Sequence, residues 1–258
     1  MNSKKLLPTL NPIIIVLAVV LISILTLRLV SLLDLGSFFA NEMKYSTAQI
    51  LVSIALVFLT MRAGLLHQIK IQTPIHQWAR YWWVATLPTA LLGVINLLSV
   101  EWSKTAFDIV SFAGWTFNNV STGLFEELLL RGFCFAYLYR AWQHKKNGLL
   151  KAAVAQALIF GLAHFVNLQN SAAIDVYAQV VYATLLGIGF AGIVVFSKSL
   201  WPAIGLHSVI NATGDINPFF VEGYSRGAPD SGTYIVAISI IFMISTLPGL
   251  FLIMKARK

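Results

Sequence analysis

The chain has 258 residues, of which only 11% are charged and 58% hydrophobic, with a mean hydropathy of +0.78. Soluble domains carry about a quarter charged residues, so there is too little polar material here to coat a soluble globule of this size. The formal net charge of +8 would suggest nucleic acid in a soluble protein. Here the positions of the charges argue for membrane orientation instead, and no nucleic-acid partner is expected.

Crossing a bilayer takes about 20 predominantly apolar residues in a helix. Taken in chain order, the apolar runs predict eight spans: Ile13–Leu33, Thr47–Leu66, Trp82–Val100, Ser121–Trp142, Leu149–Val166, Val176–Phe196, Trp201–Thr213 and Tyr234–Met254. The seventh is short and opens with Trp-Pro, which suits a tilted or partly interfacial segment. The stretch FDIVSFAGWTF, residues 107–117, is apolar but too short to span alone. It is expected either to lie in the interface or to lengthen the fourth span. Lys4 and Lys5 precede the first run as in a signal sequence, but the run is long and lacks a small-residue cleavage site, which reads as a retained anchor. The single Cys134 excludes an intramolecular disulfide and a cysteine metal cluster. With no internal repeat or long linker, the fold class expected is an all-α polytopic membrane protein. Residues 1–258 are read as one membrane-embedded domain.

Lysine and arginine bias sets orientation. With the N-terminus cytoplasmic, Lys4, Lys5, Arg62, Lys70, Arg80, Arg140, Lys145, Lys146, Lys151, Lys198, Lys255, Arg257 and Lys258 fall in or beside cytoplasmic segments, thirteen of the eighteen basic residues. Only Lys44, Lys104 and Arg226 fall outside, with Arg28 and Arg131 within spans. This predicts a multi-pass protein of the plasma membrane with both termini cytoplasmic. Eight of the ten acids fall outside: Asp34, Glu42, Glu101, Asp108, Asp175, Asp215, Glu222 and Asp230. Glu126 and Glu127 are then the only acids expected within the spans.

These two lie in FEELLLRGF, residues 125–133. Residues four apart share a helix face, and Glu127 with Arg131 has the acid on the N-terminal side, the better orientation for a helical ion pair. That pair is read as structural. Glu126 points elsewhere and has no such partner in its own helix. A carboxylate at such depth is a functional candidate by default. Two further spans carry histidine. Phe160 precedes His164 by four residues, so its ring can pack on the imidazole; His207 precedes Asn211 by four, so both project from one face. The charge-derived orientation puts Glu126, His164, His207 and Asn211 in the outer half of the membrane. A carboxylate can take a proton from water, a histidine can orient that water, and histidine and asparagine N–H groups can stabilise an oxyanion. Those are the parts of a hydrolase that attacks a peptide bond without a covalent intermediate.

The motifs EELLLR, FGLAH and HSVIN, in this order on three spans, resemble the CPBP family of CAAX proteases and bacteriocin-processing enzymes. The likeness covers a motif-bearing core of residues 121–214. It implies a metal-independent, cofactor-free glutamate-type intramembrane endopeptidase. Glu126 would be the general base and His164 would share the catalytic water. His207 and Asn211 would form the oxyanion hole, with Glu127, Arg131 and Phe160 supporting the site. Family members that trim prenylated proteins act on a cytosolic substrate end, whereas the charge count places this site toward the outer face. The expected substrate is therefore another membrane-associated peptide or protein.

Competing patterns are weaker. GYSRG, residues 223–227, fits GxSxG but lacks the strand–turn–helix setting that motif needs. The glycosylation matches at Asn119 and Asn211 lie in or beside spans. Glu126, His164 and His207 could ligate zinc, yet HExxH is absent, and ATGD has Ala212 where the aspartyl-protease GxGD pattern needs glycine. No rhomboid-like pairing of a span serine with a later histidine occurs. A proton-coupled transporter and a non-catalytic immunity or scaffold protein are the alternative classes. Hydrolysis needs the carboxylate of Glu126, while a binding role tolerates glutamine there.

Overall fold

Small polar side chains mark where the helices begin. In the computed structural model, which describes residues 11–69, 71–169, 171–225, 227 and 230–256, Asn11 caps α1 (Pro12–Ser31), with Pro12 in the first turn where no N–H is needed. Ser37 caps α2 (Phe38–Arg62), and Asp108 accepts from the N–H groups of Val110 and Ser111 at the start of α4 (Ile109–Glu127). Between them lies α3 (Trp82–Leu98). α4 continues without a break through a π-helical segment, Leu128–Phe135, into Ala136–Trp142. Then come α5 (Gly148–Ala163), α6 (Ala173–Ser197) and α7 (Trp201–Gly214). α8 (Ser231–Ile241), capped by Asp230, runs on to Lys255 through a second π segment. Lys4, Lys5, Lys70, Arg226, Arg257 and Lys258 lie outside the described residues.

The protein is an all-α polytopic membrane protein. Among the described residues, five helical stretches are long and apolar enough to cross a membrane: Pro12–Ser31, Phe38–Arg62, Gly148–Gln169, Ala173–Ser197 and Ser231–Lys255. α3 is shorter, α7 is only 14 residues long, and α4 carries the charged motif. Apolar side chains such as Leu21, Ile22, Leu25, Ile54, Phe58 and Val94 stand exposed on the outer surface, as a helix facing lipid requires.

Contacts between the connecting segments divide the bundle into two ends. At one end Arg140 donates to the carbonyl of Ala63, Ala79 N–H to that of Ser197, and the Trp201 indole to that of Ile71. At the other, Ala106 N–H donates to Phe220 O, Glu101 N–H to Asn217, Tyr234 to Asp175, and the rings of Phe38 and Phe219 meet edge to face. The first end holds Arg62, Arg80, Arg140, Lys145, Lys146, Lys151, Lys198 and Lys255. The second holds Asp34, Glu101, Asp108, Asp175, Asp215, Glu222 and Asp230.

Two helices are longer than their apolar runs. α4 starts at Ile109, so residues 109–117 lengthen the helix that carries the charged motif instead of lying flat. α2 starts at Phe38, nine residues before the apolar run at Thr47, because its first turns present Glu42, Tyr45 and Gln49 toward α4. There Asn118 donates to Glu42 (2.5 Å), and Ser121 and Thr122 donate to Gln49 Oε1 (3.0 and 3.2 Å). Glu42 therefore lies within the second pass, which corrects the expectation that only Glu126 and Glu127 do.

Small residues let the central helices approach. A methyl group at Gly123 of α4 would stand 2.3 Å from the Ser208 hydroxyl, 3.0 Å from its backbone nitrogen and 3.2 Å from the carbonyl of Ile204 on α7. Gly192 of α6 likewise meets the backbone of Gly249. Interfaces of this kind replace the hydrophobic driving force that lipid removes.

Candidate active site

The close approach of α4 and α7 brings the charged motif against the second histidine. Glu127 and Arg131 are fully buried, and their ion pair closes at 2.8 Å. Two buried charges bring a desolvation cost that good geometry must offset. The arginine is also clamped between two aromatic faces: its guanidinium carbon lies 4.9 Å from the Phe160 ring centre and 5.1 Å from that of Phe190. Among the described residues, Nε and Nη2 of Arg131 and Oε2 of Glu127 make no hydrogen bond. The ring faces take the place of hydrogen-bond partners for the guanidinium, since desolvated cation–π contacts are worth about 2 kcal/mol each.

Glu127 does more than hold Arg131. Its Oε1 also lies 2.7 Å from Nδ1 of His207. A carboxylate that already accepts from a guanidinium accepts here as well, so Nδ1 is the donor and the tautomer follows from the bond. Phe190 stacks on the imidazole at 5.3 Å with the planes 17° apart. Held from below and from one face, His207 presents Nε2 to Glu126, 3.5 Å from its Oε2.

Glu126, partly exposed, lines a cavity of about 490 Å3 shared with His164. That volume lies within the usual range for ligand sites. The His164 ring nitrogen Nδ1 donates to the carbonyl of Phe160 (2.9 Å), leaving Nε2 with its lone pair. Phe160 packs edge-on against His164 at 4.9 Å, and its ring lies 6.4 Å from that of His207. One phenyl ring thus touches both histidines and the arginine.

Glu126, Glu127, Arg131, Phe160 and His207 form one contact network, and His164 joins it through Phe160 and the cavity. Asn211 stands apart from it. It is half-buried one turn beyond His207 on α7, and among the described residues its side chain makes no hydrogen bond. Sequence reasoning missed the opposite wall of the cavity, which carries Glu42, Tyr45 and Gln49 of α2, with Arg28 of α1 near the acid-rich end. The available signal was the spacing of Glu42, Tyr45, Gln49 and Ser53, a polar stripe on one helix face ahead of and within an apolar run. Arg28 is held by the Gln169 side chain. Among the described residues, no three His, Cys, Asp or Glu side chains converge as a metal-ligand set. GYSRG lies in the segment between α7 and α8, and its Arg226 is outside the described residues.

Residues 108–213 match the family model Rce1-like, described as type II CAAX prenyl endopeptidase Rce1-like. The matched stretch contains every motif residue from Glu126 to Asn211 and is similar to the CPBP family of CAAX proteases. No curated protein and no solved structure matches the chain.

Proposed function

We propose that the protein is an intramembrane endopeptidase in which Glu126 activates water against a peptide bond. The observation that carries this reading is the pairing of Glu126 with His207, at the wall of a cavity that also receives His164. Glu126 accepts a proton from water positioned by the free Nε2 of His164. The oxygen adds to the carbonyl carbon, and the resulting oxyanion is met by N–H groups of His207 and Asn211. To donate from Nε2, His207 must carry protons on both nitrogens; Nδ1–H then stays hydrogen-bonded to Glu127 and Nε2–H donates a hydrogen bond to the oxyanion without leaving the ring. Collapse of the adduct breaks the C–N bond, and Glu126 returns its proton to the leaving amine. The chemistry needs no metal. A rotation of the Asn211 side chain on substrate binding would bring it into the oxyanion site.

The motif-bearing core is residues 121–214 of a single membrane-embedded domain. The basic end faces the cytoplasm in a plasma membrane, following the lysine and arginine bias. The cavity lies toward the acid-rich end, with Glu42, Arg28 and Asn167 on its wall. The substrate is a membrane-associated peptide or protein segment reaching the site from that side, which disfavours a prenylated cytosolic terminus. Glu126→Gln at matched expression should abolish cleavage with the fold intact. The test compares peptide termini in membranes from cells expressing wild type or variant. Termini unique to the wild type, and unchanged by a metal chelator, support the reading. Full activity of Glu126→Gln would assign the base elsewhere. Chelator inhibition reversed by zinc would replace the mechanism with a metal-dependent one.

A further inference from the structure

The basic end carries a second groove, about 1120 Å3, that the proposed hydrolysis does not use. It lies between the start of α1 and the turn joining the fourth and fifth passes. Trp142, Lys145 and Lys151 stand on its polar side, and Leu150, Val154 and Leu158 of α5 continue it along the lipid-facing surface. Leu158 is 48% exposed there. Lys145, Lys146 and Lys151 form no ion pair among the described residues, whereas Arg140 is occupied by the carbonyl of Ala63. Among the described residues no acidic side chain pairs with them. All ten acids lie at the other end or along the α2–α4–α7 site, and residues 1–10 contain Lys4 and Lys5 but no acid. An anionic ligand would supply a counter-charge that the described side chains do not offer there.

We infer that this groove is a binding site for an anionic phospholipid, its phosphate held by Lys145 and Lys151 and its acyl chains laid along Leu150, Val154 and Leu158. Basic pockets between membrane helices hold acidic headgroups in this way. The apolar continuation selects a bilayer lipid over free phosphate, because a free anion makes no use of that wall. Trp142 suits the boundary, with an amphipathic ring at headgroup level.

The test uses the full chain in a neutral detergent, with bound lipid counted by native mass spectrometry during titration with phosphatidylglycerol, phosphatidylcholine or inorganic phosphate. Phosphatidylglycerol should bind as a discrete adduct that phosphatidylcholine does not match and phosphate does not displace. Lys145→Gln with Lys151→Gln should weaken it by about thirtyfold, from the charge contribution of two lysines. The arginine pair at the same positions should keep it, which separates charge from loss of fold, and Lys198→Gln at the same end should leave it unchanged. Equal binding of the two lipids, wild-type binding by the glutamine pair, or displacement by phosphate alone would each overturn the assignment.

Discussion

At the scale of single residues, the two adjacent glutamates divide the work of the site. Glu127 is fully buried and shared between Arg131 and His207, whereas Glu126 keeps a face on the cavity. The consequence for substitution is opposite at the two positions. Glu127→Gln leaves Arg131 buried without its counter-charge, and breaking a buried pair costs about 3–5 kcal/mol. Thermal unfolding in detergent should show that loss for Glu127→Gln and for Arg131→Ala, with Glu126→Gln close to wild type. Equal stability of all three would mean that the pair does not hold the helices. Arg131→Lys should also be poorly tolerated, because an ammonium cannot fill the flat slot between Phe160 and Phe190.

At the scale of elements, the geometry of the proposed site depends on how closely α4 and α7 pack. Gly123 sits one turn before Glu127, where the two helices touch backbone to side chain. Gly123→Ala should therefore push α7 outward by a few tenths of an ångström and move His207 from Glu126. Overpacking of this kind costs about 1–3 kcal/mol, and activity should fall further than stability does. Adding Ser208→Ala removes the 2.3 Å clash but not those with backbone atoms at 3.0 and 3.2 Å, so rescue should be partial. Complete rescue in unfolding and cleavage assays would show that only the hydroxyl is crowded. The π segment beginning at Leu128 belongs to the same scale. π-helical segments are frequent at functional sites, and this one starts at the residue after Glu126 and Glu127.

At the scale of the whole molecule, charge is sorted by end. The basic connecting segments touch one another and the acidic ones touch one another, so the asymmetry is a property of the folded bundle as well as of the chain. The orientation it implies is open to a direct check, because the single native thiol, Cys134, is fully buried and leaves a quiet background. In intact cells a membrane-impermeant thiol reagent should label Glu222→Cys, and should label Lys146→Cys only after permeabilisation. The reverse pattern would invert the molecule and turn the cavity toward the cytoplasm.

How much of this was legible beforehand follows from what each feature depends on. Apolar runs and lysine and arginine bias are local quantities, and by themselves they determined the all-α membrane fold and the segregation of charge; of the eight predicted spans, five fall in helices long and apolar enough to cross a membrane among the described residues. The Glu127–Arg131 pair was legible for the same reason, being set by helix periodicity within one segment. The place of α2's first turns was not. Their polarity looks like a loop until α4 supplies Asn118, Ser121 and Thr122 as partners, and only that packing draws Glu42 into the second pass. The hydrogen bond from His207 to Glu127 and the clamp of Phe160 and Phe190 on Arg131 likewise join residues distant in sequence. Those contacts exist only because Gly123 lets α7 come within reach of α4, which the tertiary structure alone decides.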